Sequence, residues 1–160
     1  MQTNQCAFDW AGSMLFMTCG DGSAKAVRYP SFESTRITLP GHTSSCYAIS
    51  LSPDADYLAT GGADSLLSLW STKDWIPVRT FDVASEPVKS IDFTHDGSYI
   101  AAGSDDKEEK KLRIAHVETG EVVHSIDLAT PASNVAWHPC RYILAYSADQ
   151  LGLKIVGGLS

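Results

Sequence analysis

The sequence predicts an all-β chain of about four small antiparallel sheets, and three observations carry that expectation. First, four stretches of the 160-residue chain share one pattern of an apolar-x-apolar opening, a turn, a short apolar run and a small-residue turn. They read FDWAGSMLFMTCGDG, ISLSPDADYLATGGAD, IDFTHDGSYIAAGSDD and VAWHPCRYILAYSAD. Second, the second apolar residue of each opening, taken as Trp10, Leu51, Phe93 and Trp137, recurs at intervals of 41, 42 and 44 residues. A period of about 40–45 residues with several short strands per unit is the signature of a β-propeller blade. Third, helical periodicity is nowhere sustained over about ten residues.

Each element follows from its own residues. In the second unit, 46–51 is apolar-rich and stops at the turn cluster Ser52-Pro53-Asp54. Residues 57–61 form the next strand and end at Gly62-Ala63-Asp64, 66–70 alternates through Ser68, and 78–83 makes a fourth strand. Short runs with period-2 alternation, each bounded by turn residues, argue for antiparallel strands. The third unit repeats the scheme with strands at 88–93, 99–103, 112–117 and 122–128. The first unit has the same four. The fourth has three, at 133–137, 142–147 and 153–156.

This arrangement resembles the WD-repeat family of β-propellers. In that family the sequence repeat is offset from the blade, and the last blade ends on its third strand and borrows its outer strand from the N-terminus. The resemblance then places Ser160 near a natural end, whereas Met1 opens directly on an innermost strand. A closed propeller needs about 4–8 blades, and the family most often has seven. The expectation is the C-terminal part of a seven-bladed WD-repeat β-propeller, with units at about 4–39, 40–83, 84–128 and 129–160.

The stretch GHTSSCYAISLSPDADYLATGGADSLLSLWS, residues 41–71, carries the strongest site signal. In WD repeats a His after Gly, a Ser or Thr on the second strand, an Asp in the second turn and a Trp on the third strand form a hydrogen-bonded chain. The matching residues are His42, Thr60, Asp64 and Trp70; Thr60 stands four before Asp64 and Trp70 six after it. A thin blade has buried polar turn groups that need partners. Asp64 is expected to accept from the His42 ring and from turn amides, His42 to bridge to the Thr60 hydroxyl, and Thr60 to meet the Trp70 indole. The competing reading is a Ser-His-Asp triad. It needs a nucleophile on a strained turn, as in GxSxG, and that motif is absent. The four residues are therefore read as structural, and no catalytic, cofactor-binding or metal-binding residue is assigned. Ser71 stands where the family's Asp follows the Trp; the third unit has Ala115-His116 and the first Tyr29-Pro30 in place of Trp-Asp.

Other motifs are weaker. Gly20-Asp21-Gly22-Ser23-Ala24-Lys25 lacks the GxxxxGK[ST] spacing and is followed by a strand, so it reads as a hairpin turn and not a phosphate loop. The charged run 105–111 reads as a solvated loop between strands. Cys6, Cys19, Cys46 and Cys140 include no CxxC pair, which removes a zinc or thioredoxin reading. Cys6, Cys46 and Cys140 sit in or beside apolar runs and are expected to be small buried hydrophobes in a reducing compartment. No cluster has metal-ligand spacing. With 12 Lys and Arg against 19 Asp and Glu, the formal net charge is −7, and no basic footprint for nucleic acid or an anionic membrane is present. No secretory signal pattern and no apolar run of about 18 residues occurs. The chain reads as soluble and intracellular.

The fragments DYLATGGADSLLSLW, FTHDGSYIAAGSDD, HVETGE and VAWHP follow one another at set distances. Together they resemble the subunit 3 family of the THO complex, WD-repeat proteins of the transcription–export machinery. VRYPSF fits too, because that family has Tyr-Pro there in place of Trp-Asp. The resemblance runs from about Asn4 to Val156. The charged hairpin at 105–111 looks longer than the family's and the last hairpin, 148–151, shorter. The resemblance implies a non-enzymatic scaffold subunit in the nucleus, in an assembly coupling transcription to messenger RNA packaging and export. Its partners would be other THO subunits and, indirectly, an RNA helicase and an export adaptor. It implies no cofactor, no membrane contact and no direct sequence-specific nucleic-acid binding. The alternatives are a WD scaffold of a chromatin-modifying or ubiquitin-ligase assembly and, more remotely, a hydrolase.

Overall fold

The structure, a computed structural model, describes residues 2–147 and 152–157. The expectations about Met1, Ser160 and the hairpin at 148–151 lie outside the described residues. Among those described there are four antiparallel sheets and no helix.

The first sheet comprises β1 (Thr3–Phe8), β2 (Met14–Cys19), β3 (Ser23–Arg28) and β4 (Ser34–Pro40), and the second β5 (Cys46–Leu51), β6 (Tyr57–Gly62), β7 (Leu67–Ser71) and β8 (Pro77–Phe81). The third holds β9 (Val88–Phe93), β10 (Tyr99–Ser104), β11 (Lys111–His116) and β12 (Val122–Asp127). The fourth has β13 (Val135–Trp137), β14 (Ile143–Ser147) and β15 (Leu153–Gly157). Each sheet is a meander in which neighbouring strands are consecutive in sequence. The sheets follow one another side by side, as in part of a WD-repeat propeller.

The core lies between the sheets. Phe16, Ala24, Ala26 and Leu39 of the first sheet meet Ile49, Leu58 and Trp70 of the second. Leu67, Leu69 and Phe81 meet Val88, Ile91, Phe93 and Ile100 of the third. Ala101, Leu112 and Ile114 meet Leu144 and Tyr146 of the fourth. Strand alternation turns alternate residues toward opposite neighbours, so one sheet serves two apolar layers.

Register fixes the phase of the repeat and corrects it in the first unit. Phe8 pairs with Leu15 as Leu51 does with Leu58, Phe93 with Ile100 and Trp137 with Leu144. The opening residue of the first unit is therefore Phe8 and not Trp10, which makes the intervals 43, 42 and 44 residues. The cause is Asp9, whose carboxylate accepts the Ser13 and Met14 amides at 2.6 and 2.9 Å and turns the chain two residues early. Trp10 then lies in the hairpin, where its indole N–H donates to the Ser52 carbonyl of the next sheet at 2.8 Å. By the same register Val27 pairs with Leu15 as Trp70 does with Leu58. Val27, not Tyr29, occupies the place of Trp70, and Tyr29-Pro30 opens the following turn.

That turn has a fixed form. Phe32, Trp75 and Gly120 occupy equivalent places, have φ of 58°, 59° and 78°, and donate their amides to Arg28, Ser71 and His116. Only the glycine is relaxed in that region. Trp75 offsets its cost by packing its ring 5.3 Å from that of Phe16 on the preceding sheet.

The cysteine expectation needs correcting in part. Cys19 and Cys46 are buried, and burial pushes the Cys46 thiol up to about 12, which makes it unreactive. Cys6 and Cys140 are exposed. Cys6 pairs with Met17 on the side of β1 opposite Ala7, and that side faces no other described sheet, while Cys140 lies in the β13–β14 turn. No helix among the described residues is long and apolar enough to cross a membrane.

Candidate functional site

The structure brings His42, Thr60, Asp64 and Trp70 together on the side of the second sheet that faces the first. His42 stands in the turn entering the second sheet, Thr60 in the middle of β6, Asp64 in the β6–β7 hairpin and Trp70 near the end of β7. Thr60 and Trp70 are 1% and 3% exposed, and the His42 and Asp64 side chains 1% and 9%.

Their atoms form one directional chain. The Trp70 indole N–H donates to Thr60 Oγ1 at 3.1 Å. Thr60 Oγ1 and His42 Nε2 are 3.0 Å apart, and His42 Nδ1 and Asp64 Oδ1 2.9 Å. One tautomer satisfies every member: Thr60 donates to Nε2, and Nδ1–H donates to Asp64. Asp64 also accepts the Thr43 amide at 3.0 Å and the Leu66 amide at 3.3 Å. Burial pushes the Asp64 carboxyl up, but the Thr43 amide, the His42 ring and the Leu66 amide outweigh it and hold it below the usual carboxylate range.

Two glycines permit this approach. A Cβ on Gly62 would stand 2.5 Å from His42 Nδ1 and 2.6 Å from Asp64 Oδ1. A Cβ on Gly41 would stand 2.7 Å from the Trp70 ring. Any side chain at either place collides with the network.

The connectivity of Thr60, His42 and Asp64 is that of a hydroxyl–imidazole–carboxylate triad. A nucleophile must however meet a substrate carbonyl and an oxyanion site. Thr60 is sealed beneath Trp70 and already accepts its N–H, so no carbonyl reaches the hydroxyl. What the chain of bonds does chemically is tie the entry turn, the second strand and the β6–β7 hairpin into one unit.

Sequence reading missed two relatives of Asp64. Asp21 and Asp106 lie six residues after Leu15 and Ile100, as Asp64 does after Leu58. Asp21 accepts the Ser23 amide at 3.0 Å, and Asp106 the Glu108 and Glu109 amides at 2.8 and 2.9 Å. The signal was the repeat interval itself. Asp106 is 4% exposed, so the 105–111 segment is a loop folded over one buried carboxylate and is not solvated throughout. The Asp21 hairpin holds Lys25 by its own carboxylate at 2.8 Å, and β3 follows it, not a helix.

A second turn device also escaped the sequence. Ser52 and Thr94, the first residues after β5 and β9, accept the Tyr57 and Tyr99 amides at 2.9 and 3.0 Å. The Thr94 hydroxyl donates to Asp96 at 2.7 Å. Asp96 ties the third sheet to the fourth, since the Tyr142 hydroxyl donates to it at 2.6 Å. Burial raises the Asp96 carboxyl, but the Tyr142, Thr94 and Ser98 bonds hold it far below the usual range. Arg79 of β8 reaches the third sheet, donating to the Glu118 and Thr119 carbonyls at 2.7 and 2.9 Å. Among the described residues no group of three or more His, Cys, Asp or Glu side chains is placed to hold a metal ion.

Comparison with known proteins agrees with this geometry. The family model "WD domain, G-beta repeat" matches residues 33–71 and 75–108. The chain is 38% identical over 96% of its length to THO complex subunit 3 of Arabidopsis thaliana and spans 47% of that protein. It is 34% identical over 92% of its length to WD repeat-containing protein AAC3 of Dictyostelium discoideum, spanning 31% of it. It is 33% identical over 63% of its length to eukaryotic translation initiation factor 3 subunit I of Scheffersomyces stipitis, spanning 28% of it. The chain thus spans about half, or less, of the length of the curated relatives it matches.

Proposed function

Starting from a chain that belongs to the WD-repeat β-propeller family, we propose that it is a non-enzymatic scaffold of a THO-type assembly. It works in the nucleus, through contacts with other THO subunits, and supports messenger RNP assembly and mRNA export. An RNA helicase and an export adaptor reach it indirectly. The observation that carries this reading is the 38% identity to a THO complex subunit 3 along 96% of the chain.

The physical chemistry of the site supports a scaffold. Its most elaborate polar constellation is shut away from solvent and joins turns. The net charge of −7 and the scattered cations supply no electrostatic term for a phosphate backbone. The buried network, in this reading, holds one blade rigid so that exposed loops meet partners in fixed geometry.

Depletion of the full-length protein tests the functional part. Polyadenylated RNA is expected to accumulate in the nucleus by in situ hybridisation, and re-expression of the protein to clear it. An unchanged RNA distribution at complete depletion contradicts an export role. Purified alone, the chain is expected to bind RNA weakly and without sequence preference.

A further inference from the structure

Leu51, Phe93 and Trp137 hold one repeat position in three successive sheets, at the ends of the inner strands β5, β9 and β13. Around them opens a cavity of about 300 Å³, whose walls also include Pro139, His95 and Asp92. Its apolar and aromatic walls enclose one carboxylate.

Asp92 is only half satisfied. Its Oδ1 accepts the Phe93 amide at 3.0 Å and its Oδ2 the Trp137 amide at 2.6 Å. Each carboxylate oxygen has a further acceptor site. No lysine, arginine or histidine among the described residues forms an ion pair with Asp92. Burial pushes its carboxyl up against the pull of the two amides, the mark of a charge lacking a counter-ion. Two further polar atoms of the walls, Trp137 Nε1 and His95 Nδ1, are buried without a hydrogen-bond partner. Of the two, His95 Nδ1 can accept from a cationic donor, whereas the Trp137 indole N–H is itself a donor and is not met by one.

We propose that this groove receives an arginine side chain presented by a partner polypeptide, with Asp92 as its counter-ion. Charge complementarity selects a cation: Asp54 and Asp96 stand on the neighbouring inner-strand turns and add negative potential, and His95 and His138 are the only imidazoles on the walls. The aromatic walls select guanidinium over ammonium. A planar, weakly hydrated guanidinium stacks on Trp137 and offers forked donors to a carboxylate whose two oxygens each retain an acceptor site. The inference rests on reading the chain as a protein-binding scaffold, and not on which assembly it serves.

The test is a titration of the purified chain with acetyl-Gly-Arg-Gly-amide and with its citrulline isostere, which has the same shape without the charge. Calorimetry gives affinity, and the Trp137 indole N–H resonance reports the place. Saturable binding of the arginine peptide is expected, with the Trp137 resonance shifting and the citrulline peptide at least about tenfold weaker. Asp92→Asn is expected to weaken arginine binding by a similar factor. If that variant fails to fold, the two peptides on the wild-type chain still decide. Equal affinities, no saturable binding, or shifts that spare Trp137 would each overturn the proposal. None of these outcomes touches co-purification with other subunits, so the two readings fail separately.

Discussion

His42 Nδ1 stands 2.9 Å from Asp64 Oδ1, and the two side chains are 1% and 9% exposed. That single bond spans 22 residues and joins the turn that enters a sheet to a hairpin inside it. Removing the carboxylate strands the His42 ring and the Thr43 and Leu66 amides together. Asp64→Ala is expected to destabilise the chain by about 1–3 kcal/mol, because buried donors lose their acceptor. Urea denaturation measures it. Asp21→Ala, at the equivalent but solvent-facing position, is expected to shift the midpoint measurably less. Equal effects would show that the buried network adds nothing to an ordinary turn.

The Trp70 indole separates hydrogen bonding from packing. Trp70→Phe keeps most of the ring between the first two sheets and removes only the N–H to Thr60. A loss of about 1 kcal/mol is expected, against about 3–5 kcal/mol for Trp70→Ala. Near-equal losses would make the indole N–H the main contribution of this residue.

Gly62 tests the geometry from the other side. A Cβ there stands 2.5 Å from His42 Nδ1, so Gly62→Ala is expected to push His42 off Asp64. The His42 ring resonances, followed by NMR, report the displacement directly. Unchanged resonances in a folded Gly62→Ala chain would contradict the contact.

Acid sensitivity follows from two carboxylates shifted in opposite directions. Asp64 is held below its ordinary 3.8, so its contribution is complete above that pH and is lost as pH falls through its folded value. Asp92 is raised above 3.8, so ionising it costs stability as pH rises through the window above 3.8. Urea midpoints across pH are expected to show Asp64→Asn flattening the loss below about pH 4. Asp92→Asn is expected to remove a gain that the wild type shows on acidification just above that pH. Parallel curves for wild type and both variants would contradict the assignment.

Much of this was written in the chain. Short apolar runs closed by Ser52-Pro53-Asp54 or His95-Asp96-Gly97 gave strands within a residue or two of their observed ends. The spacing of His42, Thr60, Asp64 and Trp70 pointed to the four residues that meet. The first unit slipped by two residues because Phe8 and Trp10 are both large and apolar, and only the Asp9 carboxylate decides which one ends the strand. Cys6 defeated the reading for a different reason. Alternation says which side of β1 it takes, but burial depends on whether a sheet lies against that side. Asp92 and Arg79 were invisible because their partners are backbone groups of another sheet, about 40 to 45 residues away.

A chain that serves a THO-type assembly by binding proteins travels with that assembly. Affinity purification of the tagged full-length protein from nuclear extract, followed by mass spectrometry, tests it most directly. Other THO subunits are expected well above an untagged control. Recovery of chromatin-modifier, ubiquitin-ligase or translation-initiation subunits, with THO subunits at background, would contradict it.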